Sequence, residues 1–231
     1  GTRFSALVHN KYFILILLSS LFLAVYQTVN GTCATYYAQY ILGNNEYYSV
    51  LNLAENIPQV IVIMILAPFI KKFGKRNLVL WGAVITVVAQ LLLLVVPANP
   101  TFAAVVAAIR GIGKAPLFGC VFTMMADVVN YGHWKTGVRV QALIFSAATV
   151  GQKFGGGVAG AVVGWLMDAS GFTGLQEEIP SAVAMVENLY IWGTVLAWAV
   201  IIVLMVAYKL DRQYNGMIKD MEQKGMLKQA D

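Results

Sequence analysis

Charge is what this 231-residue chain has least of. Only 12% of its residues are Asp, Glu, Lys or Arg, roughly half the share of an ordinary soluble domain. Hydrophobic residues make up 59% and the mean hydropathy is +0.70. One water-soluble core of this size could not hide that much apolar surface. The composition therefore argues against a soluble enzyme, a nucleic-acid binder and a disordered chain. Cysteine is nearly missing, and two residues are too few for a disulfide framework. The two histidines, His9 and His133, sit in polar flanks without metal-ligand spacing. Low-complexity tracts are absent, as are the alternating segments of about 10 residues that an outer-membrane barrel needs. No charged stretch precedes a short apolar run, so no signal peptide is read. The opening at Gly1 rather than Met suggests a fragment or a processed chain.

Long apolar runs are what is there. A bilayer core about 30 Å thick needs about 20 apolar helical residues. Six stretches qualify: Phe13–Tyr40, Ser49–Ile70, Leu78–Val96, Thr101–Val129, Gln141–Met167 and Leu189–Tyr208. Turn-like breaks separate them, including Gly43-Asn44-Asn45, Lys71 to Asn77, Pro97 to Pro100, Asn130 to Arg139 and the longer Asp168 to Asn188. The expected fold is an all-α membrane protein, a six-transmembrane-helix bundle over residues 1–208 with a tail over 209–231. Thirteen of the sixteen basic residues fall on one side of this alternating arrangement, Lys71, Lys72, Lys75 and Arg76 among them. The opposite loops hold Glu46, Asp168, Glu177, Glu178 and Glu187 and no Lys or Arg. The net charge of +5 thus marks loops, not a nucleic-acid partner, and the positive-inside rule puts both termini in the cytoplasm.

The other three basic residues are Arg110, Lys114 and Lys153, and Glu55 accompanies them inside the spans. A charge at mid-bilayer costs at least about 2.5–3.5 kcal/mol on insertion scales, so such residues face a cavity or a partner. Lys153 lies near the middle of its span, with Ser146 and Thr149 on the same helical face and Gln152 adjacent. A cation among hydroxyls and an amide suits a polyhydroxylated or anionic ligand; a structural ion pair is the plain alternative. Asn52, Glu55, Asn56 and Gln59 form a second stripe beside Pro58. Glu55 is a proton carrier, a cation ligand or the partner of Arg110 or Lys114. Three cations against one carboxylate need an offset: carboxylates from further helices, an anionic substrate, or a neutral lysine. Gly156, Gly160 and Gly164 repeat every four residues and read as a helix-packing face.

The run Ala126-Asp127-Val128-Val129-Asn130-Tyr131-Gly132-His133-Trp134-Lys135-Thr136-Gly137-Val138-Arg139 resembles the signature loop between the tenth and eleventh helices of the glycoside–pentoside–hexuronide:cation symporters. Gln141 to Gly160 is similar to the eleventh helix of that family, and Lys71 to Arg76 to its basic loop between the eighth and ninth. The resemblance implies one half of a major facilitator fold, the C-terminal six of twelve helices. It implies cation-coupled transport of a sugar, glycoside or hexuronide by alternating access, with Na⁺ or H⁺ as coupling ion, no cofactor and no enzymatic step. Lys153, Thr149 and Phe118 then match sugar-site positions, with Gln152, Arg110 and Lys114 as further substrate candidates. Phe118 stands where a well-known member has tryptophan, so the indole donor is lost. Glu55, Asn52 and Asn56 are cation-coupling candidates. Asp127, Arg139, Lys135 and Tyr131 fall in a cytoplasmic gate, Asp127 pairing with Arg139 in the outward-facing state. The implied partners are the sugar, a monovalent cation, the N-terminal six-helix half and the lipid of a bacterial inner membrane, with no nucleic acid. The alternatives are a self-contained six-helix unit acting as a dimer, distinguished by whether a second six-span segment precedes Gly1 in the gene, and a non-transporting membrane scaffold or sensor.

Overall fold

Each long helix begins or ends at residues suited to it. In this computed structural model, which describes residues 10–175 and 178–226, Asn10 caps α1 (Lys11–Tyr40), its side-chain oxygen accepting the Phe13 N–H at 3.1 Å. Its amide donates to the Val128 carbonyl at 3.2 Å, which ties the start of α1 to α4. Arg3, His9, Glu177 and Lys228 lie outside the described residues. Helix α2 (Tyr47–Phe73) stops at Gly74, whose φ of +81° favours glycine. Helix α3 (Lys75–Leu92) starts immediately, and the Arg76 N–H near its N-terminus is capped from afar by the Asp211 carboxylate at 2.8 Å. Asn99 caps α4 (Pro100–Thr136) through the Phe102 N–H at 3.0 Å, with Pro100 in the first turn. Then come α5 (Gln141–Ala169), α6 (Pro180–Ala207) and a short amphipathic α7 (Leu210–Gln223). No strand occurs among the described residues.

Three boundaries differ from expectation. Helix α4 runs through Asn130 to Thr136, the first part of the expected break, and ends at Gly137 with φ +70°. Helix α6 starts at Pro180, nine residues before the expected Leu189, and passes through a π turn at Leu189–Gly193. Helix α3 ends at Leu92, short of Val96. Five helices, α1 to α4 and α6, are long and apolar enough to cross a membrane. Helix α5 is as long, at 29 residues, and packs along α1. Its glycines and the Gln152-Lys153 pair lower its apolar character.

Packing follows an internal symmetry. Helix α4 lies against α2 and α3; helix α1 lies against α5 and α6; α3 meets α6, and α1 meets α4. Exchanging α1, α2 and α3 with α4, α5 and α6 maps this set of pairs onto itself. The members of each exchanged pair run in opposite directions, as in inverted repeats of membrane carriers. One apolar cluster, around Tyr12, Met124, Trp198 and Tyr208, fills the basic end. A second, around Tyr37, Leu93, Val106 and Ile191, fills the other. The exterior is also apolar: Met64 is 78% exposed and Trp165 73%. Such a surface belongs in lipid, where helices associate by close packing rather than by the hydrophobic effect.

Close approach is built on glycine. A Cβ on Gly111 would lie 2.0 Å from the Glu55 carbonyl oxygen, and one on Gly82 would lie 2.2 Å from the Gly113 oxygen. These two contacts draw α2 and α3 onto α4. Between α1 and α5 the close residue is Gly155, where a Cβ would meet Leu21 at 2.8 Å. The expected packing face of Gly156, Gly160 and Gly164 is met in part, since Cβ atoms on Gly156 and Gly160 would lie 3.1 and 3.6 Å from Thr28 of α1, but the tightest approach is one position earlier. Neighbouring residues point about 100° apart on a helix, and the buried face of α5 is Ala148, Gly155, Ala159 and Val163. Gly156 borders Thr28 in a polar groove, and Gly164 has nothing within 4 Å. Gly155→Ala is expected to destabilise the bundle by about 1–3 kcal/mol, and Gly164→Ala by less than about 0.5 kcal/mol. Thermal unfolding of the purified variants in detergent checks the difference.

Candidate functional site

Because Gly111 lets the Glu55 backbone touch α4, the Glu55 side chain reaches two cations one helical turn apart. Its Oε1 accepts from Lys114 Nζ at 2.6 Å and from the Tyr26 hydroxyl at 2.5 Å. Its Oε2 accepts from Arg110 and, at 3.4 Å, from the Asn30 amide. Arg110 also donates to Gln90 Oε1 at 2.7 Å and to the Tyr190 hydroxyl at 3.1 Å, and it lies over the Tyr190 ring at 5.3 Å. Gln90 in turn donates to the Tyr190 carbonyl at 2.8 Å. The cluster thus joins α1, α2, α3, α4 and the π turn of α6 between the two apolar clusters. Arg110 is 1% exposed. It was expected to touch substrate, but it sits behind Glu55 with its terminal nitrogens engaged. Of the readings open for Glu55, the structure gives the ion pair, with both cations at once. As a cation-coupling candidate Glu55 offers no free oxygen in this arrangement, whereas Asn56 donates its NH2 group to Asn52 of the same helix and keeps its own side-chain oxygen unengaged among the described residues.

In front of this cluster lies an open polar surface. A groove of about 410 Å³ is lined by Gln152, Lys153, Gly156 and Gly157 of α5 and by Ala24, Gln27 and Thr28 of α1. Gln27 also borders a cavity of about 260 Å³ holding Asn30, Asn52, Asn56, Gln59, Lys114 and Phe118. The two adjoin at Gln27, and together their linings span α5, α1, α2 and α4. Lys153 is exposed and forms no ion pair among the described residues. Lys114 Nζ stands 5.5 Å from the Phe118 ring centre. Thr149 is exposed on α5 and donates to the Phe145 carbonyl at 2.9 Å. The expected Lys153, Gln152, Lys114, Phe118, Asn52 and Asn56 thus share one polar face, and Arg110 does not.

The expected gate residues lie together at the basic end, with different partners. Asp127 pairs with Lys75 at 2.6 Å, and Arg139 is exposed and donates to Gln141 at 3.3 Å. The Asp127–Arg139 pair expected of the outward-facing state is not formed in this arrangement, where Lys75 at the head of α3 pairs with the Asp127 carboxylate instead. Tyr131 packs edge-on to Tyr12 at 4.8 Å, and Lys135 lies over Trp134 at 4.6 Å. Helix α7 clasps this end: Trp134 donates to Asp220 at 2.5 Å, Asn130 to Tyr214 at 3.1 Å and Gln213 to the Tyr12 hydroxyl at 2.7 Å. Hydrogen bonds from Lys224 and Trp134 hold the Asp220 carboxyl below its usual range.

Tyr26, Gln90 and Tyr190 were missed from sequence. A glutamine inside an apolar span was a usable signal for Gln90. The two tyrosines read as ordinary span aromatics, and nothing local separates them from the others.

Fold and site define an integral membrane protein with a polar, open face across four of its helices. The chain belongs to the MFS/sugar transport protein family, whose profile matches residues 1–212. That is a family of transporters rather than enzymes, and the resemblance to glycoside–pentoside–hexuronide symporters stands. The chain is 33% identical over 161 residues to an isoprimeverose transporter of Lactiplantibacillus pentosus, covering 67% of this chain and 33% of the relative. It is 25% identical over 219 residues to an uncharacterized symporter of Bacillus subtilis strain 168, covering 94% and 48%. It is 26% identical over 179 residues to a glucuronide carrier protein homolog of Escherichia coli K12, covering 77% and 39%. The chain spans half the length or less of these relatives.

Proposed function

We propose that this chain forms the C-terminal six-helix half of a secondary transporter that moves a sugar, glycoside or hexuronide together with Na⁺ or H⁺. One observation carries the reading: a polar face crosses α5, α1, α2 and α4 of a bundle whose exterior carries many exposed apolar side chains. A second six-helix half would cover that face, and the substrate would bind between the halves near the midplane. Lys153, Gln152 and Thr149 would contact it from α5, Lys114 and Phe118 from α4. Coupling carboxylates would come from the other half, since Glu55 is already committed to two cations. Rocking of the halves would alternate access, with Lys75–Asp127 and Arg139 at the closing end. Orientation accords with the basic loops, with both termini in the cytoplasm of a bacterial inner membrane.

The test is uptake by the complete gene product in proteoliposomes, with isoprimeverose, raffinose and a glucuronide as substrates, under Na⁺ and H⁺ gradients. Gradient-driven uptake of at least one is expected. No uptake of any of them under either gradient would overturn the reading.

A further inference from the structure

The cavity between α1, α2 and α4 has a charge imbalance that the fold does not resolve. Arg110 and Lys114 face one carboxylate, Glu55, which leaves one positive charge in a buried cluster. A buried charge is costly unless a counterion or strong hydrogen bonds meet it. Arg110 is enclosed by Gln90 and Tyr190. Lys114 is different: its ammonium gives one hydrogen bond, to Glu55, and the residue also lines the cavity. An ammonium has three donors, so two remain for an occupant. No second carboxylate is on that wall; beside Tyr26, Glu55 and Phe118 it carries the amides of Gln27, Asn30, Asn52, Asn56 and Gln59. Among the described residues, Gln27 and Gln59 form no side-chain hydrogen bond, and the buried Oδ1 of Asn30 has no partner. Neutral amides serve hydroxyl groups in either direction, and the ammonium favours an anion. An alkali cation would meet net positive charge here.

We propose that this cavity is an anion subsite: Lys114 receives the acidic group of a polyhydroxylated ligand, and the Gln27, Asn30 and Gln59 amides hold its hydroxyls. Glu55 is a positioning residue that holds the Lys114 ammonium at the wall. The proposal rests on the transport reading and narrows it, making Lys114 the residue that sets preference for charge.

The test is equilibrium binding of methyl β-D-glucuronide and methyl β-D-glucoside to the complete gene product in nanodiscs. The two ligands differ in a carboxylate against a hydroxymethyl group. The wild type is expected to prefer the glucuronide about ten- to a hundredfold, the range of a charge-assisted hydrogen bond. Lys114→Arg should keep most of that preference, and Lys114→Gln should reduce it to within about twofold. Asn52 is exposed at the cavity mouth, so Asn52→Asp should fold normally. It should weaken the glucuronide several-fold more than the glucoside, through like-charge repulsion. Equal binding of both ligands by the wild type, binding of neither, or no selective effect of Asn52→Asp would overturn the subsite. In each of those cases gradient-driven uptake of a neutral sugar would leave the transport reading standing.

Discussion

Glu55→Gln is expected to cost the fold about 3–5 kcal/mol, the loss seen when one partner of a buried ion pair is removed. Arg110→Gln is expected to cost less, although Arg110 is the more deeply buried. The reason is the sign of what remains. Removing the Glu55 charge leaves Arg110 and Lys114 as two unpaired cations about one turn apart on α4, each desolvated and each repelling the other. Removing the Arg110 charge leaves Glu55 and Lys114 as a neutral pair at 2.6 Å. The losses are then Arg110's hydrogen bonds to Gln90 and Tyr190, each about 1 kcal/mol net, some of which the shorter glutamine amide can replace. The double variant Glu55→Gln/Arg110→Gln should recover part of the Glu55→Gln loss, because it removes one of the two stranded charges; this coupling is the expected mark of contact between the sites. Thermal unfolding midpoints of the purified complete protein in detergent measure all three. If Glu55→Gln unfolded like wild type and lost only the ion dependence of uptake, Glu55 would be the coupling residue and its counterion role would be wrong.

The same cluster shows how far the sequence could be read. Segments of about 20 apolar residues and the skew of Lys and Arg depend only on local composition, so the long helices and their alternation were legible. The rarity of charge inside spans also pointed to Glu55, Arg110, Lys114 and Lys153. Partnership was not legible. Whether Glu55 meets Arg110, Lys114 or a cation depends on Gly111 bringing α2 within contact of α4, and on Tyr26, Gln90 and Tyr190 arriving from three other helices. Periodicity along one helix carries no information about those arrivals. Gly155 illustrates a finer limit: the glycine-rich run of α5 was plain, but the residue facing α1 depends on helix rotation, which the neighbour sets. The start of α6 was obscured because Pro180 to Asn188 is less apolar than Thr194 to Ala207 of the same helix, although Pro180 is a good first-turn residue.

Lys153→Ala is expected to leave stability within about 0.5 kcal/mol of wild type and to lower transport about ten- to a hundredfold. The exchange that relates α2 to α5 and α4 to α1 gives the reason. In one repeat the charged residue of α2, Glu55, finds opposite charge on α4, which packs against it. In the other the charged residue in the middle of α5 is Lys153, and the packed neighbour is α1, which brings Ala24, Gln27 and Thr28 to the groove and no charge. Glu55 is therefore satisfied within the bundle, and Lys153 stands exposed with no carboxylate paired to it among the described residues. Removing an exposed, unpaired ammonium costs the fold little. Its partner, on the reading proposed here, comes from the substrate or from the half that closes over the face, so the loss appears when that face is closed and occupied. Unfolding midpoints and initial uptake rates, measured on one preparation of the complete protein, separate the two effects. A marked fall in the midpoint would make Lys153 a structural residue, and unchanged uptake would remove α5 from the substrate site.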